Sequence, residues 1–160
     1  MQLSKNFTLE EMVRSSTAKR KGIDNRPADL ETLNNLSRLV NEVLQPIRDV
    51  YGKPIVVGSG FRCPRLNKAV GGVANSDHQY GCAADIHSLS DTLVDNMELW
   101  LVIMKMAKAE RIHCRQVIFE YGDTKFGPDW IHISINNSHN GKKDNQVVYI
   151  KPHPSSPKGR

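Results

Sequence analysis

The stretch "SDHQYGCAADIH", Ser76 to His87, sets two histidines and two aspartates around one glycine, in a chain with six histidines in all. His78 and Asp85 are seven positions apart. On a helix that spacing is about 10.5 Å of rise, too far for two side chains that hold one ion. The intervening "QYG" points instead to a loop, with Gly81 turning the chain so that a His78 loop runs into an Asp85 strand. On such a strand, "CAADIH", Asp85 and His87 share one face and Cys82 takes the other.

A third ligand has to come from elsewhere, and His132 in "DWIHIS" is the best placed. On a strand, Ile131 and Ile133 face the core while Trp130, His132 and Ser134 face the opposite side. Two histidine nitrogens and a carboxylate leave a fourth tetrahedral position for water, the layout of catalytic rather than structural zinc. His113, His139 and His153 lie in polar or helix-terminal contexts and read as surface residues. His87 is either an alternative ligand or a residue supporting the ligands from behind. A Cys82–histidine nucleophile pair is the thiol alternative. Its strand parity turns Cys82 toward the core instead.

Around these segments the pattern is α+β. "TLEE", Thr8 to Glu11, is a capping box that opens a short helix to about Arg14. "SSTAKRKGIDNRP" reads as a basic connector. Leu30, Leu33, Leu36, Val40, Val43, Leu44 and Ile47 recur at three or four, predicting a helix from about Ala28 to Val50 that Pro46 disrupts in its last turn. "PIVVGSGF" is a buried strand ending in a glycine turn. The segment 92–109 is helical, with Leu93, Met97, Trp100, Leu101 and Met104 available to the core. "RQVIFEY" and "WIHISI" are strands joined by the turn-rich "GDTKFGPD", and "QVVYI" adds an edge strand. The expected architecture is a small antiparallel sheet with flanking helices in one domain, residues 1–150, followed by a disordered basic tail, residues 151–160.

Composition agrees with one soluble domain: 160 residues, 39% hydrophobic and 24% charged. No run approaches the length that spans a bilayer. "MQLSKNFTLEEM" lacks the apolar centre of a secretory signal, so cytoplasmic synthesis is expected. Cys63, Cys82 and Cys114 are an odd number without short pair spacing, which fits reduced thiols rather than a disulfide framework. The net charge of +5 favours an anionic partner. Its dispersed cations, without a helix–turn–helix or aromatic stacking motif, argue against specific nucleic-acid binding.

"SDHQYGCAAD" matches S-x-H-x-x-G-x-A-x-D at every fixed position, and "DWIHIS" resembles a later W-x-H-x-S segment. "SGFRCPRLN", Ser59 to Asn67, resembles S-G-[FY]-R-[SC]-x-x-x-N. The three motifs occur in one order, from about Phe7 to Ser134, and together resemble the zinc D-alanyl-D-alanine carboxypeptidase family, which shares its fold with the hedgehog signalling domain. The resemblance implies zinc held by His78, Asp85 and His132. It implies Asp129 as the base that takes a proton from water; Asp123 and Glu120 are the fallback carboxylates on sequence position. It also implies Arg62 at a polarised carbonyl or substrate carboxylate; beside it, Ser76 and Asn67 are candidate hydrogen-bond partners and Tyr80 a candidate substrate-groove residue. The expected function is hydrolysis of peptidoglycan stem peptides by a monomer. The expected setting is a phage-type lysin that reaches the cell wall after holin-type release or as a virion component. The alternative is a wall- or protein-binding module on the same fold without turnover.

Overall fold

A computed structural model describes residues 1–151, and the tail predicted to be disordered lies outside these residues except for Lys151. Six α-helices and five strands follow in chain order. They are α1 Leu9–Val13, α2 Ser16–Lys21, α3 Leu30–Leu39, α4 Gln45–Tyr51, β1 Ile55–Ser59, α5 Pro64–Ala69, β2 Ala83–Ser88, α6 Leu93–Lys108, β3 Gln116–Glu120, β4 Trp130–Ser134 and β5 Gln146–Ile150. Among the described residues no helix is long and apolar enough to cross a membrane.

The helix starts are locally specified. Thr8 and Glu11 close the predicted capping box, and Asp29 and Thr92 accept from Thr32 N–H and Asp95 N–H at the heads of α3 and α6. Each cap contributes about 1 kcal/mol. The expected connector contains α2, which starts at the Ser15 cap and ends at Gly22 in the left-handed region. The long predicted helix is continuous from α3 to α4, but its break lies upstream of Pro46. Val40–Leu44 is π-helical, and Gln45 N–H reaches back to Val40 O. Pro46 has no N–H to offer the preceding turn, and the wider turn absorbs that missing donor.

The sheet order is β1-β2-β4-β3-β5. The first three pairings are antiparallel as predicted, but β5 runs parallel to β3. The loop after β4 returns the chain to the start of β3, where Asn145 and Cys114 exchange bonds: Asn145 N–H donates to Cys114 O and Cys114 N–H to Asn145 Oδ1, both at 2.7 Å. β5 therefore enters from the same end as β3.

One face of the sheet buries Val57, Ala84, Ile86, Val117, Phe119, Ile131 and Ile133 against the helices. Leu36, Leu39, Val43, Leu44 and Ile47 come from the α3–α4 segment, and Leu99, Trp100, Ile103 and Met106 from α6. Two predicted core positions are exposed instead, Leu30 at 71% and Leu101 at 58%. Leu30 opens α3 at its far end. α6 is apolar on most faces, so its pattern does not select the stripe that packing uses. The opposite face of the sheet is left for chemistry.

Candidate metal centre and its groove

Alternation on two paired strands builds the centre. Asp85 lies between buried Ala84 and Ile86, and His132 between buried Ile131 and Ile133. Asp85 and His132 are direct partners in the β2–β4 register, so their side chains meet on the non-core face. His78 arrives from the 3-10 turn Asp77–Tyr80. That turn ends at Gly81, whose φ of 71° is left-handed and whose added Cβ would lie 2.6 Å from Thr32 O. Glycine is needed there on both counts.

The donors converge as a metal requires. His78 Nε2 and His132 Nδ1 lie 3.4 and 3.0 Å from Asp85 Oδ1, and one ligand atom from each residue falls within 4.8 Å of the others. Around a tetrahedral ion at about 2.05 Å, neighbouring donors stand about 3.3 Å apart. His78 Nδ1 is 2.6 Å from Gly60 O, a group that only accepts, so Nδ1 carries the proton and Nε2 offers its lone pair. Gly60 is itself seated tightly, since a Cβ there would lie 2.2 Å from Met12 O. Asp85 Oδ2 accepts from Arg62 at 3.2 Å. This donor set and its orientation fit zinc.

Burial alone would raise the Asp85 carboxyl, but His78 and His132 outweigh it and hold the group well below the usual carboxylate range. Burial pushes His78 down, ahead of the opposing pull of Asp85. At His132 burial also pushes down, yet the hydrogen bond and charge of Asp85, aided by Glu120, carry it above its ordinary value. Glu120 is raised by burial and by the Asp85 charge.

An open cleft of about 510 Å³ runs beside His78, Asp85 and His132, walled by Arg62, Ser76, Ile118, Glu120, Tyr121 and Trp130 among others. Arg62 is braced by Ser59 Oγ at 3.0 Å as well as by Asp85. Ser76 borders the cleft while its hydroxyl caps the His78 turn. Asn67 is buried behind Arg62, and its amide donates to Val73 O at 2.9 Å. Tyr80 is outside the residues that line the cleft and stacks on His139 at 3.8 Å. Asp129 stands at the entrance of β4 and Asp123 in the exposed turn before it. The Asp129 N–H donates to Glu120 O at 3.0 Å, and its carbonyl accepts from Asn96 at 3.1 Å. His87 is not among the converging donors. It lies one row away, opposite Val56, and lines a smaller cavity with Gly58 and Trp130. Cys82 is fully buried and its thiol is pushed up to about 12, chiefly by burial, which removes the thiolate a nucleophile needs.

One feature of the centre has no single-motif signal in the sequence. Buried Asp77, beside His78, accepts from Arg115 at 3.0 Å, from Asn137 at 2.8 Å and from Asn140 at 2.6 Å. These bonds tie the loop after β4 onto the His78 turn. The partners lie 38 to 63 positions away, beyond the reach of local pattern.

Comparison with known proteins agrees with this geometry. A zinc D-Ala-D-Ala carboxypeptidase of Streptomyces albus G is 52% identical over 44 residues, covering 27% of this chain and 17% of that enzyme. The family described as Peptidase M15 matches residues 5–134, most of the chain, with His78, Asp85 and His132 inside the match. The chain belongs to the Peptidase M15 family.

Proposed function

We propose that this chain is a zinc peptidase that hydrolyses peptide bonds in peptidoglycan stem peptides, as a D,D-carboxypeptidase or endopeptidase acting at the bacterial cell wall. The observation that carries the reading is the convergence of His78, Asp85 and His132 beside an open cleft that also holds Arg62 and carboxylates. Family membership and the similarity to a zinc D-Ala-D-Ala carboxypeptidase support it. A phage-type lysin or virion component is the setting that matches the motif resemblance.

Bound zinc would polarise the scissile carbonyl and lower the pKa of its water to about 7. Gly60 fixes the His78 tautomer, and Arg62 neutralises the outer Asp85 oxygen while presenting its guanidinium to the cleft. That guanidinium steadies the negative charge growing on the carbonyl oxygen, or grips a substrate carboxylate. Asp129, three residues before His132 and held by backbone bonds on both sides, takes the proton from water and passes it to the leaving amine. A second assignment of the base rests on Glu120, whose carboxyl lines the cleft and is raised by burial.

The test is digestion of purified cell walls and of a synthetic stem peptide ending in D-Ala-D-Ala, with products identified by mass. Asp129→Asn is expected to lower turnover by on the order of 10²–10⁴ while zinc stays bound, and Glu120→Gln to lower it less. The reverse ranking moves the base to Glu120. A zinc-loaded wild type that cleaves neither substrate leaves only a binding module.

A further inference from the structure

α2 and α5 form a small lobe beside the cleft, with its own apolar seam of Ala18, Ile23 and Leu66. The lobe and its approach carry six exposed cations: Arg14, Lys19, Arg20, Lys21, Arg65 and Lys68. Among the described residues no carboxylate is ion-paired with any of them; the nearby Asp24 is taken by Arg26 at 2.6 Å. No acidic residue occurs between Arg62 and Ser76. These six charges exceed the formal net charge of the whole chain, +5, so the remainder is slightly acidic. The two segments, 14–23 and 62–70, carry no acidic residue of their own.

A cavity of about 210 Å³ lies at the foot of the lobe, lined by Arg14, Ser15, Ser16, Thr17, Ser59 and Arg62 among others. It shares Arg62 and Val70 with the metal cleft, so a ligand on the lobe lies next to that cleft. The Arg14 guanidinium among hydroxyls suits phosphate oxygens, which accept arginine and hydroxyl donors together, with the Arg62 charge alongside. One substrate carboxylate would need only one cation. Six spread over a lobe match a ligand with repeating charge.

We infer that the α2–α5 lobe binds an anionic wall polymer with repeating phosphodiesters, holding the chain on the wall while a neighbouring stem peptide enters the cleft. The choice of a wall polymer rests on the peptidase reading, because the cavity adjoins the peptide cleft at Arg62 and Val70. The lobe captures and the cleft cuts.

The test is co-sedimentation of the full chain with purified walls that carry their phosphodiester polymer, beside walls stripped of it by hydrofluoric acid. Two charge-reversal variants on separate elements, Lys19→Glu/Lys21→Glu and Arg65→Glu/Lys68→Glu, are compared after circular dichroism has verified folding. The expected result is tight binding to intact walls only. Affinity should fall about tenfold or more in each folded variant, and similarly for wild type between about 50 and 200 mM salt. Equal sedimentation with stripped walls, or unchanged binding by a folded variant, overturns the inference. So does equal affinity for duplex DNA or anionic phospholipid vesicles at matched phosphate, which would reduce the lobe to charge alone. Peptide cleavage by wild type, measured separately on the soluble stem peptide, tests the peptidase reading without involving the lobe.

Discussion

His132 meets Asp85 because isoleucine–histidine alternation on one strand faces alanine–aspartate alternation on the next. That parity is visible in "DWIHIS" and "AADI", so the placement of Asp85 and His132 on one face was legible before the fold was known. His87 shares the parity of Asp85, and parity alone leaves its role open. Register places His87 opposite Val56, one row off the Asp85–His132 pair. Arg62 holds Asp85 and faces the cleft, so Arg62→Ala should lower kcat/KM by on the order of 10², with Arg62→Lys intermediate because lysine lacks the planar fork. Steady-state kinetics on the soluble peptide reads both. The pH behaviour follows from His132. Its raised pKa means that a proton competes for Nδ1 below that value, so zinc affinity is full above it and falls as pH drops. Chelator competition across pH 5 to 8 should register a decline of about tenfold per pH unit on the acid side. A flat profile would contradict the protonation of that ligand.

The elements differ in how far local sequence specifies them. The capping box of α1 and the apolar stripe of α3 are written within a few residues. The π-helical turn before Pro46 is also local, set by the Gln45 N–H bond to Val40 O, whereas the parallel β5 depends on β3, some thirty residues earlier. The loop between β4 and β5 is the clearest instance, because Asp77, Arg115, Asn137 and Asn140 come together only after folding. Asp77 and Arg115 side chains are 5% and 11% exposed, so Arg115→Ala leaves a buried carboxylate without its cation. The expected loss is about 3 kcal/mol by urea unfolding, and a change below about 0.5 kcal/mol would mean that water replaces the guanidinium freely. At the other end of the centre, Gly60→Ala forces a Cβ against the Met12 carbonyl. It should cost about 2 kcal/mol and weaken zinc binding as well, because the Gly60 carbonyl orients His78.

At the scale of the whole molecule, the α+β class and the use of one sheet face for core and the other for chemistry were legible from period-two strands among period-3.6 helices. The gathering of charge was not. The cations of residues 14–21 and 65–68 look dispersed along the chain, and only the packing of α2 on α5 unites them. The thiols add a check on the overall packing. Cys82 and Cys114 are fully buried and pushed up to about 12, chiefly by burial. They should therefore resist alkylation at neutral pH until the protein unfolds, while partly exposed Cys63 reacts first. The central claim concerns the metal, and its most direct test is zinc stoichiometry by elemental mass spectrometry, on tag-free protein beside His132→Ala. About one zinc per wild-type chain, lost in the variant, is the predicted result. A wild type that holds no zinc, and takes up none when zinc is added, would contradict the account.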